Sequence, residues 1–100
     1  MNVLRGADAE AIGAPAGVDV GVRAEDLTLD GAAALRGRVE GVEYLGHEQL
    51  VHVRVGAASL VVRHAASAAP QVGEPVGVRI ARAAWHCFDA ATGARVDVPA

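Results

Sequence analysis

The side chains best suited to metal, nucleophilic or acid–base chemistry in this 100-residue chain are four histidines, one cysteine and twelve carboxylates. Their spacing does not assemble a site. His47 and His52 lie five positions apart in strand-like sequence and therefore point to opposite faces. His52 and His64 approach each other if their strands pair, and Glu48 could join them, but no metal-motif spacing fixes that geometry. Solvated strand histidines are the simpler reading. His86 and Cys87 are the pair a thiolate nucleophile needs, yet no third, orienting group accompanies them. Beside Phe88 in valine-rich sequence, Cys87 reads as a buried small hydrophobe. A single cysteine also rules out an internal disulfide and a cysteine-based zinc site. The phosphate-binding pattern G-x-x-x-x-G-K-[ST] needs a lysine, and all nine basic residues are arginine. G-x-G-x-x-G and G-x-S-x-G are absent as well. The sequence assigns no catalytic residue, no metal ligand and no cofactor.

Charge and composition narrow the remaining classes. A net charge of −3 lacks the basic footprint of a general nucleic-acid binder. Arg54 and Arg63 are the best-placed cations, but no aromatic platform flanks them, and Glu40, Glu43 and Glu48 crowd the same region. The longest stretch free of charge or histidine, Ala65 to Gly73, is far short of the ~20 apolar residues of a membrane helix. The first ten residues have no charged-then-apolar layout of a signal peptide. The expectation is a cytosolic protein with neither nucleic-acid binding nor membrane insertion. Hydrophobic residues make up 52% of the chain, but Ala and Val supply most of them and only Tyr44, Trp85 and Phe88 are aromatic. One thin, valine-built core is expected, with modest stability.

The elements that would position these groups are strands. Val18, Val20 and Val22 alternate with Asp19 and Gly21, and Val51, Val53 and Val55 alternate with His52 and Arg54. Val76, Val78 and Ile80 alternate with Gly77 and Arg79. Each is a half-buried strand. Further strands are predicted at Leu35 to Leu45, Ser59 to His64 and Arg95 to Val98. The first of these breaks phase: Leu35 and Val39 share one parity, Val42 and Tyr44 the other, and Gly41 marks a β-bulge or bend. Turns are predicted at Gly46-His47, Gly56 to Ala58, Pro70 to Pro75 and Thr92-Gly93. Ala24 to Leu29 could form one helical turn, Asp30 to Leu35 is too short to hold as a helix, and Ala65 to Ala69 reads as a loop. The pattern is all-β, a small barrel or sandwich of five or six strands.

Several segments together resemble a known family. Gly21 to Leu27 (GVRAEDL) is similar to a G-[IV]-R-P-E-x-[LIV] signature. Val39 to Glu48 (VEGVEYLGHE) matches V-x-x-V-E-x-L-G-x-E. His86 to Arg95 (HCFDAATGAR) matches H-x-F-D-x-x-T-G-x-R, and Met1 to Leu4 resembles M-N-F-[LIV]. In this order they resemble the C-terminal TOBE domain of ATP-binding subunits in ABC importers of the maltose and glycerol-phosphate type. Departures are Ala24 where the family has proline, and a short interval between Leu4 and Val18.

The resemblance implies an OB-type barrel of about five to seven short strands, spanning 1–100 as one regulatory domain and a fragment of a larger subunit. It implies a cytoplasmic module at the inner face of the membrane. That module follows the nucleotide-binding domain of the parent ATPase, pairs with its counterpart as a homodimer and performs no catalysis. The motif residues carried over are Arg23, Glu25, Glu43, Leu45, Gly46, Phe88, Asp89 and Gly93. Gly46 is expected to supply a positive φ, Phe88 to plug the barrel, and the Asp89 carboxylate to accept backbone N–H groups in its turn. Trp85, with His86 beside it, is the expected subunit contact, because tryptophan is enriched at binding hot spots. A different possibility is an oxyanion-binding barrel of the molybdate type, for which Thr28, Ser59, Ser67 and Thr92 are the available hydroxyls.

Overall fold

A computed structural model describes residues 1–65 and 70–98. Among the described residues, nine strands form two antiparallel sheets. They are β1 (Asn2–Leu4), β2 (Val18–Val22), β3 (Leu27–Leu29), β4 (Leu35–Leu45), β5 (Glu48–Val55), β6 (Ala58–His64), β7 (Pro75–Ile80), β8 (His86–Asp89) and β9 (Arg95–Val96). The helical content is one five-residue helix, α1 (Ala7–Ala11), and two 3-10 turns at Ala24–Asp26 and Arg82–Ala84. The larger sheet has the order β3-β7-β4-β5-β6 and the smaller one β1-β2-β8-β9. The larger sheet curls into a half-barrel, an OB-like architecture, as β3 and the Ala24–Asp26 turn come against β6.

The alternating valines became strands within a residue or three of their expected limits. The strands beyond the six expected are short ones, β1, β3 and β8, formed by residues with too few alternations to show a period. The phase break in β4 is a bulge: Val39 faces Val53 but Gly41 faces His52, so Glu40 is the inserted residue. Gly46 and Gly56 open the two-residue turns of the β4–β5 and β5–β6 hairpins with φ of 70° and 56°. Among the described residues no non-glycine residue has positive φ, so His47 and Ala57 complete turns of the II′ pattern, which suits the twist of paired strands. The expected loop at Ala65 to Ala69 lies, beyond Ala65, outside the described residues.

The core is as thin as the composition demands. Nine of its sixteen buried hydrophobic residues are valines, and Trp85 is its one aromatic. Val20, Val22, Val51, Val53 and Val62 are at or near zero exposure on the inner faces of β2, β5 and β6. Between the sheets, the Asn2 side chain acts as a substitute strand. Its Nδ2 donates to the Val61 carbonyl at 2.8 Å, while its Oδ1 accepts the Val61 N–H at 2.8 Å. Asp8 in α1 adds a second tie by accepting the Ala57 N–H at 3.2 Å.

Candidate functional site

Pairing of β2 with β8 brings the first and last motifs together, with Val20 opposite Cys87 and Gly21 opposite His86. Arg23 and His86 then flank a shallow cleft that Asp26, Ala81, Ala83 and Ala84 complete. Arg23 precedes the Ala24–Asp26 turn, which closes on the Asp26 N–H to Arg23 carbonyl bond of 2.9 Å, and Glu25 is exposed at its apex. Alanine at 24 in place of the family's proline therefore still permits the turn. Arg95 donates to His86 Nδ1 at 2.8 Å. A guanidinium has no acceptor, so Nδ1 carries the lone pair and the ring proton sits on Nε2.

The Asp89 turn forms as its chemistry requires. Oδ1 accepts the N–H groups of Ala91 and Thr92 at 2.8 and 3.0 Å, and Gly93, at φ 76°, donates its N–H to the Asp89 carbonyl at 2.7 Å. The middle motif lies elsewhere, in the β4–β5 hairpin. There Glu43 meets His52 Nε2 at 3.4 Å, and Leu45 is exposed beside Gly46 at the tip.

Two expectations are corrected. Phe88 does not plug the barrel. Cys87 takes the inward position opposite Val20, and strand alternation turns Phe88 to the outer face, where Arg95 lies 5.7 Å from the ring centre. Trp85 is not on a free surface: it is 4% exposed, inside the core, with Arg82 over its ring at 4.7 Å. Burial within its own chain withdraws Trp85 from any subunit contact, and the half-buried His86 beside it is held by Arg95.

No reactive constellation forms among the described residues. His52 and His64 project from opposite faces: Gln49, with which His64 is in register, shares the buried face of Val51 and Val53, and His52 lies on the other. No group of three metal-ligating side chains occurs among the described residues. Burial pushes the Cys87 thiol up from its ordinary range, away from thiolate character. Arg54 and Arg63, the possible nucleic-acid contacts, sit against Glu40 at 2.8 Å and Glu48 at 3.8 Å. The hydroxyls do not converge on an oxyanion. Ser59 donates to Glu40 at 3.0 Å, Thr92 accepts the Ala94 N–H at 3.2 Å, and Thr28 is exposed on β3. Ser67 lies outside the described residues.

Hydrogen bonds and ion pairs hold two carboxyls below their ordinary range. Asp30 is lowered by the Ala32 N–H at 2.9 Å and by Arg79, and Glu40 by Arg54 and then Ser59. Groups with depressed folded pKa values add stability that is fully present above the unfolded carboxylate range and is lost as pH falls through the folded values. The urea midpoint is therefore expected to hold steady near neutrality and to fall on acidification below about pH 5. The double variant Asp30→Asn/Glu40→Gln should flatten that acid limb.

Comparison with known proteins decides the family: the TOBE domain family matches residues 20–88, more than half of the chain. The chain belongs to the TOBE domain family. Curated relatives of this TOBE domain include the sn-glycerol-3-phosphate import ATP-binding protein UgpC of Rhodopseudomonas palustris, 36% identical over 85% of the chain and 29% of the relative. The protein of the same name from Burkholderia thailandensis is 39% identical over 76% of the chain and 21% of the relative. That from Rhizobium meliloti is 35% identical over 90% and 28%. The TOBE domain thus spans less than a third of the length of these relatives. No helix among its described residues is long and apolar enough to cross a membrane.

Two residues important to the structure were not singled out from the sequence. Gln49 is 7% exposed on the buried face of β5, two residues before Val51, so extending the valine parity backwards would have found it. Asn2 falls in the M-N-F-[LIV] resemblance, but nothing local shows its role, because its partner Val61 is 59 positions away.

Proposed function

We propose that this TOBE domain is the non-catalytic regulatory and dimerisation module of an ATP-binding subunit in an importer of glycerol phosphate or related carbohydrates. It works in the cytoplasm, at the inner face of the membrane, attached to a nucleotide-binding domain and paired with a second copy of itself. The observation that carries this reading is the family match across residues 20–88, together with relatives that are named as import ATP-binding proteins over their TOBE-like portion. The chemistry of the fold is compatible with it. The thiol is buried, Arg54 and Arg63 are paired with Glu40 and Glu48, and the Asp89 carboxylate holds its turn.

A domain exchange tests it. The matching portion of the Rhodopseudomonas palustris relative is replaced by this TOBE domain, and uptake of glycerol 3-phosphate is measured beside a deletion of that portion. The exchange should restore uptake to within a few-fold of the intact protein, and the deletion should not. A chimera that folds and binds ATP yet transports no better than the deletion would overturn the assignment.

A further inference from the structure

The distal half of β4 has an open edge. β7 covers β4 only from Leu35 to Arg38, which faces Pro75. The turn before β7 adds two bonds: Val39 N–H to the Glu74 carbonyl at 3.0 Å and Gly73 N–H to the Val39 carbonyl at 2.8 Å. Past Val39 the inserted Glu40 switches which residues face that side. On the other side, the two-residue turn makes Leu45–Glu48 the closing hydrogen-bonded pair, and alternation makes Glu43–Leu50 and Gly41–His52 the next ones. The N–H and C=O groups of Val42 and Tyr44 therefore point away from β5, and no strand among the described residues pairs with them. An edge of this kind is a template for another strand.

Its side chains describe the strand that fits. Tyr44 is 69% exposed, Leu45 49%, and Val72, in the turn beside this edge, 68%. Glu40 is held by Arg54 and Ser59, and Glu48 by Arg63. Glu43 meets His52 and keeps 59% of its side chain exposed. A strand bonded to Val42 and Tyr44 places its own residue opposite Glu43 in a close, non-hydrogen-bonded pair, where opposite charges attract and like charges repel. We propose that the Val42–Leu45 edge of β4 accepts an extended strand of a partner protein carrying a basic residue opposite Glu43 and apolar residues opposite Val42 and Tyr44. A second copy pairing antiparallel with Val42 opposite Tyr44 would set Glu43 against Glu43, which disfavours that occupant. The inference rests on the edge geometry and stands independently of the transport reading.

The probe is a nine-residue peptide of alternating valine and threonine with a central arginine, blocked at both ends and added at millimolar concentration to the intact chain. Amide exchange at Val42 and Tyr44 should slow at least tenfold. A peptide with central glutamate should bind about two- to fivefold more weakly, and Glu43→Arg, checked for folding by circular dichroism, should reverse that order. Unchanged exchange at Val42 and Tyr44 would overturn the proposal. Equal binding by a peptide N-methylated along its edge-facing amides would also do so, since it would exclude strand addition. Protection that rises with protein concentration in the absence of peptide would replace the partner strand with a second copy.

Discussion

Trp85→Ala should destabilise the domain by about 3–5 kcal/mol while leaving its mass in light scattering unchanged. Trp85 is the one aromatic in a core otherwise made of valine, leucine, alanine and cysteine, and truncating it removes the largest side chain in that core. Domains of this size are commonly stable by only 5–15 kcal/mol, so the variant would sit close to unfolding. Its thermal midpoint should drop on the order of 15–25 °C. Trp85→Phe should cost less. It keeps much of the ring volume and removes an indole N–H that is buried without an acceptor among the described residues. A variant with an unchanged urea midpoint but a halved mass would return Trp85 to a subunit contact.

The second large effect is expected at a residue with no side chain. Gly37 lies in β4 opposite Val76 of β7, just before the β4–β5 register begins at Arg38. A Cβ built there falls 2.5 Å from the Arg54 carbonyl oxygen, 2.7 Å from Val53 Cγ1 and 2.8 Å from Val55 Cγ2. The oxygen belongs to a strand held on both sides, by β4 and β6, so it cannot yield without opening a hairpin. Gly37→Ala should cost about 2–3 kcal/mol as an overpacked site. Gly31→Ala is the control, because a Cβ at Gly31 meets nothing within 4 Å. Equal urea midpoints for the two variants would show that the half-barrel is looser than this packing implies.

These two residues also mark where the sequence could be read and where it could not. The valine strands, the Gly41 phase break and the glycine turns are local: a period of two, or a glycine at a parity change, needs no knowledge of the partner strand. The orientation of β8 is not local. Cys87 faces inward because it pairs with Val20, and that pairing joins segments more than sixty positions apart. Side-chain size points to Phe88 as the core residue, and the enrichment of tryptophan at binding hot spots points to Trp85 as a subunit contact. The Arg82–Ala84 turn and the pairing with β2 decide the reverse. Gly37 was equally silent, since a glycine in a strand shows its purpose only when the neighbouring backbone is in place. For the site, the Asp89 turn and the positive φ at Gly46 were legible because each is made by adjacent residues. The open edge of β4 was not, because it depends on where β7 stops.

The Asn2 amide has a mechanical consequence. Its two bonds lie side by side on the N–H and C=O of one residue, Val61, so a pull on β1 loads both together, as a clamp does, instead of peeling them in turn. Tension arriving at the start of the chain therefore passes directly into β6 of the larger sheet. The two sheets share that load at the very first strand.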